Sequence, residues 1–245
     1  MYDLHRILGV IIYCETDAGI LQRASRREGM KQQIFLALRQ NFIPGLFLWF
    51  FGLLMVVCFY YVEGSRPWFE QIIQLKMTYG YAYSAVSTAL FGGLIPYVFM
   101  RVSGRDRLGS AWGMGSVFVG YWALRGMDVD AFYRLQAFLF GQGVDWKTIA
   151  CKVFVDQFVY CVIWATPITA LFYGWKEAGY SIRRWKREKK VGEFWNKMII
   201  FNLTTWMVWT PATAIVYSLP SALQIPLFNL TLCFFVLLVS VYGKR

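Results

Sequence analysis

The chain has 245 residues, 58% of them apolar and only 16% charged, against a soluble norm of roughly half apolar and about a quarter charged. That balance argues against an ordinary soluble domain, and five scattered cysteines with a single histidine, His5, give neither a disulfide framework nor a His-based metal centre. The net charge of +11 requires no nucleic-acid partner, because basic inner loops and anionic lipid account for it.

Residues 1–41 carry Leu4, Leu8, Ile11, Ile12, Ile34, Phe35 and Leu38 at helical spacing, interleaved with Arg23, Arg26, Arg27 and Lys31. This pattern predicts an amphipathic segment lying on the inner leaflet. No long apolar core precedes a small-residue cleavage site, so a secretory signal is not expected.

Uncharged runs follow at Phe42 to Val62, Thr78 to Met100, Leu108 to Leu124 and Met198 to Gly243, and a run from Val153 to Trp175 holds one charge, Asp156. A helix rises 1.5 Å per residue and a bilayer core is about 30 Å thick, so each of the first two runs suits one span. The stretch from Met198 to Gly243 would reach roughly 69 Å as one helix and must fold back. Pro220 and Pro226 mark the expected hairpin. The predicted fold class is all-α: a polytopic membrane bundle of about six transmembrane helices behind the amphipathic segment.

The basic residues orient it. With the N-terminus inside, the inner segments 1–41, 101–107, 176–197 and the tail hold 19 of the 25 Lys and Arg, and the outer segments 63–77, 125–152 and 219–226 hold six. Short cytoplasmic loops are enriched in such residues, so both termini are expected inside. Small residues recur every four positions at Gly80, Ser84, Thr88 and Gly92, a stride that lets membrane helices pack closely.

Ionisable groups in lipid are costly and mark functional sites. Asp156 is the one such group well inside a span. Lys152 lies four residues earlier on the same helical face, where the two can pair, and Gln157 adds a polar neighbour. Two readings stay open: a polar pathway or binding site, and an ion pair that only fixes helix packing. Arg125, Asp128 and Asp130 read equally as a charged mouth to a pathway and as a solvated loop or the continuation of a tilted helix. Thr166-Pro-Ile-Thr-Ala-Leu-Phe-Tyr173 and Thr210-Pro-Ala-Thr-Ala-Ile-Val-Tyr217 share a T-P-x-T-A-x-x-Y pattern. It predicts kinks at Pro167 and Pro211, as an inverted repeat or as two independent prolines. Trp206 and Trp209 fall deep in their span. No nucleophile with a base is apparent, so no enzyme activity is expected, and no metal or cofactor.

Lys152-Val-Phe-Val-Asp156-Gln157 with Pro167 beyond it resembles the K-x-x-x-D-Q…P signature of the Mpv-seventeen and twenty-two-kilodalton peroxisomal membrane protein family. Trp206-Met-Val-Trp209-Thr-Pro211 followed by Tyr217-Ser-Leu-Pro220 is similar to its W-x-x-W-P…F-x-x-V-P pattern, and Gly126-Met127 and Phe132-Tyr133 sit where the family has G-P and W-Y. Met127, Phe132 and the inserted Thr210 depart from it, which fits a divergent, bacterial member. The resemblance covers about 78–245, with spans near 78–100, 108–124, 153–175, 198–219 and 226–243, and leaves 42–77 as an extra N-terminal span and loop.

The resemblance implies an integral protein of the bacterial inner membrane or, alternatively, of the mitochondrial inner or peroxisomal membrane. It also implies weakly selective channel activity for small hydrophilic solutes or metabolites. Lys152, Asp156, Gln157, Pro167, Trp206, Trp209, Pro211 and Tyr217 are then the pathway-lining or gating candidates, with Arg125, Asp128 and Asp130 at its mouth. The alternative is a structural or assembly protein held by a Lys152–Asp156 pair. The basic loop 183–190 is the candidate for anionic lipid, small solutes are the expected ligands, and a homo-oligomer is compatible with either reading.

Overall fold

The computed structural model describes residues 30–102, 112–188 and 191–242. Of the expected features, residues 1–29 of the amphipathic segment, 108–111 of the third apolar run, 189–190 of the basic loop and the tail 243–245 lie outside the described residues. Among those described, the chain is all helical, with no strand. Three helices are long and apolar enough to cross a membrane: Asn41–Tyr61, Glu63–Phe99 and Trp146–Lys176.

Helix α1 (Met30–Tyr61) turns Phe42, Ile43, Leu46, Phe47, Phe50, Leu53, Leu54 and Val57 outward, where they stay exposed. Apolar residues left outside a folded bundle fit lipid as their solvent. The opposite face carries Gly45 and Gly52 against Val208 and Ile215. Trp49 Nε1 donates to the Val208 carbonyl at 2.8 Å, and the Tyr60 hydroxyl to that of Ser218 at 2.9 Å. Just past the helix end Ser65 Oγ is within hydrogen-bond distance of the Cys58 and Val62 carbonyls, which also accept from the backbone N–H of Val62 and Ser65.

Helix α2 (Arg66–Thr88) starts on Pro67 and breaks at Gly80, with φ 50° and ψ −118°, a conformation only glycine adopts without strain. A π-helical stretch, Ala89–Leu94, leads into α3 (Ile95–Val102). Helix α4 (Trp112–Phe140) lies along α2 at very close range. A Cβ on Gly126 would stand 2.2 Å from the Ser84 carbonyl oxygen, so glycine is required at that crossing. The stride of small residues is thus a packing seam, and Ser84 and Thr88 are fully buried in it.

From residue 125 onward the chain follows the helical alternative and not the loop: α4 continues four turns past Arg125, to Phe140. The charges that end the apolar run sit inside a helix because partners satisfy them. All six basic residues assigned to outer segments, Arg66, Lys76, Arg125, Arg134, Lys147 and Lys152, occupy helices.

Asp145 caps α5 (Trp146–Phe154), its Oδ1 accepting from the backbone N–H of Lys147 and Thr148 at 3.1 Å each. The chain then winds as a π-helix over Val155–Ala165 and returns to α-geometry in α6 (Thr166–Glu177). A short basic helix, α7 (Ile182–Glu188), precedes α8 (Val191–Tyr217) and α9 (Ser221–Tyr242). The long apolar run does fold back, at Ser218–Pro220. Pro226 is inside α9, at its sixth residue, and not in the turn; there its missing N–H leaves the Ala222 carbonyl without its i+4 donor. Helix α9 packs against α1, α2, α4 and α8 and buries Leu223, Ile225, Leu227, Leu232 and Phe235, as expected of a helix apolar all round.

Candidate functional site

Asp156 is the second residue of the π stretch and is 6% exposed. Its Oδ2 accepts from the Tyr217 hydroxyl at 2.7 Å, and its Oδ1 from the Gln157 side-chain nitrogen at 2.9 Å and from Cys161 Sγ at 3.6 Å. Gln157 also donates to the Thr213 hydroxyl at 3.1 Å, while its backbone carbonyl receives Trp206 Nε1 at 2.8 Å. Gln136 of α4 donates to the Tyr217 hydroxyl at 3.2 Å and to the Lys152 carbonyl at 2.9 Å. One chain of hydrogen bonds therefore ties α4, α5, the π stretch and α8 together around the carboxylate.

The expected Lys152–Asp156 ion pair is not formed: no nitrogen–oxygen contact within 4.0 Å joins them, and Lys152 appears in no salt bridge among the described residues. The winding changes from α to π between them. The stacking of residues four apart belongs to α-geometry and is lost where the turn widens. Buried Lys152 instead lies over the ring of Tyr217, 5.8 Å from its centroid. The same tyrosine thus engages the carboxylate through its hydroxyl and the ammonium through its face.

Beside this network is a cavity of about 120 Å³, lined by Asp156, Gln157, Arg125, Tyr160, Thr213 and Trp209 together with apolar and aromatic side chains. That volume holds several waters. Of the other expected pathway residues, Lys152, Pro167, Trp206, Pro211 and Tyr217 do not line it; Tyr217 and Trp206 reach it only through their bonds to Asp156 and Gln157. Pro167 opens α6 directly after the π stretch, and Pro211 lies within the uninterrupted α8. Tyr173 and Tyr217, which end the two T-P-x-T-A-x-x-Y segments, are each 1% exposed.

The three charges read as a mouth separate. Arg125 lines the cavity and pairs with Asp128 one turn on, and Asp128 also accepts from the Tyr160 hydroxyl and Trp164 Nε1 at 2.9 Å each. Asp130 points elsewhere and is 3% exposed. It accepts from Lys76 Nζ at 2.5 Å, Ser84 Oγ at 2.9 Å and Arg134 Nε at 3.2 Å. Lys76 also donates to the Gly80 carbonyl at 3.2 Å, at the backbone break. Of the readings open for these three residues, the continued helix is the one seen, carrying one cavity-wall pair and one helix clamp.

Sequence reading missed Lys76, Ser84, Gln136, Tyr160, Cys161 and Thr213. Lys76 and Gln136 fell in segments assigned to loops. The available signal was the spacing of four from Lys76 through Gly80 to Ser84 and from Asp130 to Arg134, which places each set on one helical face. Among the described residues no group of three or more His, Cys, Asp or Glu is arranged to hold a metal ion. Compared with known proteins, the chain matches no family model, no curated protein and no solved structure.

Proposed function

We propose that the chain is a six-span membrane protein with both termini inside, acting as a weakly selective channel for small hydrophilic solutes or metabolites. The route passes between the π stretch with α6 and helix α8. The observation that carries this reading is the cavity at Asp156: an ionisable side chain within an apolar helix faces space large enough for solute and water. Intramembrane carboxylates so placed mark solute and ion pathways. Arg125 is on the same wall and is paired with Asp128. The motif resemblance points the same way, since its K-x-x-x-D-Q element holds Asp156 and Gln157, which both line the cavity. The setting is a bacterial inner membrane or, alternatively, a mitochondrial inner or peroxisomal membrane.

Purified protein in planar bilayers tests the reading. Wild type is expected to carry current or solute flux, and Asp156→Asn to change it. A silent wild type overturns the channel, and an Asp156→Asn variant indistinguishable from wild type overturns the site.

A specific observation favours a second reading. The hydrogen-bond chain from Lys152 through Gln136 and Tyr217 to Asp156 links three helices, as an assembly protein requires, although without the ion pair first expected for it. In that case the exposed Arg183, Arg184, Lys186 and Arg187 of α7 bind anionic lipid or a partner. Charge reversal there then abolishes co-purification while flux assays stay silent.

A further inference from the structure

Asp156 has donors but no counter-ion. Three neutral groups, Tyr217, Gln157 and Cys161, point hydrogens at its two oxygens, a set that suits the ionised carboxylate. A buried charge with no opposite partner is strongly unfavourable. The cations near it are already engaged: Lys152 lies over Tyr217, and Arg125 is paired with Asp128. Taking Arg125 and Asp128 as a neutral pair, the cavity wall retains one net negative charge.

A second, independent observation is on the same wall. Gln157 is 1% exposed and lines the cavity, and its Oε1 has no hydrogen-bond partner. Buried side-chain acceptors are rarely left so. An unpaired carboxylate and an unpaired amide oxygen on adjacent residues together request a ligand that is both cationic and a hydrogen-bond donor.

The rest of the wall decides what kind of cation. Hard metal ions need about six oxygen ligands; the threonine hydroxyls of this wall are hydrogen-bonded but keep acceptor lone pairs, so the choice of cation rests on the rings that make up much of the lining. Thr166 donates to Asn202, Thr169 donates to the Ala165 carbonyl and accepts from Tyr121, and Thr213 accepts from Gln157. Much of the remaining lining is rings, among them Tyr133, Tyr160, Trp209 and Phe228. Aromatic faces attract organic ammonium ions, which shed water more readily than alkali ions of the same charge.

We infer that the cavity is a binding site for a small organic ammonium ion, held by Asp156 and by the free oxygen of Gln157 and enclosed by the aromatic side chains. This rests on the reading of the cavity as the solute pathway, and it names the solute class. Calorimetric titration of the intact protein in lipid nanodiscs with methylammonium and tetramethylammonium chloride, set against sodium, potassium and acetate salts, provides the test. Saturable binding of methylammonium is expected, tighter than that of tetramethylammonium, which has no N–H for Gln157, and weakened about tenfold or more by Asp156→Asn, with no comparable binding of the alkali ions or acetate. Ala165→Leu fills the cavity while leaving the carboxylate in place, and it must weaken binding likewise even if Asp156→Asn does not fold. Lys147→Gln, outside the cavity, must leave binding unchanged.

Absence of saturable ammonium binding overturns the inference, as does equal affinity for alkali ions, or binding that survives both cavity variants. Liposome flux is read separately. Flux without ammonium binding overturns the ligand assignment and keeps the channel, whereas binding without flux keeps the site and overturns the channel.

Discussion

Among the described residues the bundle buries two carboxylates in different company. Asp130 at the α2–α4 seam meets Lys76, Arg134 and Ser84, and its lysine partner also covers the carbonyl at the Gly80 break. Asp156 meets only neutral donors and faces a cavity. The first arrangement is closed: its charges are matched in place, and it holds two helices at a kink. The second is open, because the charge is positioned but not neutralised. Burial therefore does not by itself mark a functional group. A buried group with a missing counter-charge beside empty space does.

The contrast can be broken most forcefully at the closed site. Lys76→Ala leaves Asp130 with only the half-exposed Arg134 as a cation, and removal of one partner from a buried pair costs about 3–5 kcal/mol. A large fall in thermal midpoint in detergent is expected, substantially recovered in the Lys76→Met, Asp130→Leu double variant. If Lys76→Ala is as stable as wild type, the seam is not held by this clamp.

Gly126→Ala tests the same seam through its packing. The new methyl would meet the Ser84 carbonyl and the Thr88 side chain, and overpacking of this kind costs about 1–3 kcal/mol. Cross-linking between cysteines placed on α2 and α4 should show the helices moved apart.

Asp156→Asn sharpens the comparison from the other side. It removes an unmatched charge, so the thermal midpoint should hold or rise while conductance changes. A loss of stability as large as that of Lys76→Ala would make the two sites alike and favour the assembly reading.

The smallest effect is expected at Asp145, the exposed cap of α5. Its carboxyl is held below the usual range first by the Thr148 hydroxyl and then by the Thr148 backbone N–H. A pKa lower in the folded than in the unfolded state stabilises above the ordinary value of about 3.9, and that contribution is lost as the pH falls through the folded value. Asp145→Ala should lower the thermal midpoint slightly at neutral pH, and the gap should narrow on acidification, as a pair of melting series would show.

The helical class was legible because long apolar runs leave the backbone no partner in lipid except its own helix. The fold-back after Tyr217 followed from length, since no bilayer accommodates the whole run from Met198. Asp156 and Gln157 stood out because a carboxylate in an apolar run is rare. Less could be read at residues 76 and 125–140. There, charges were taken as loop signals, and a helix carrying matched charges has the local composition of a loop.

Composition and run length thus determined a lipid-facing, all-helical chain and singled out one carboxylate, because those features depend on transfer from water and not on neighbours. The partners of that carboxylate were decided only in three dimensions. The π winding after Phe154 carried Asp156 out of step with Lys152, and Tyr217, 61 residues away, reached both. A cavity is the space that several helices fail to fill, and no single stretch of sequence records it.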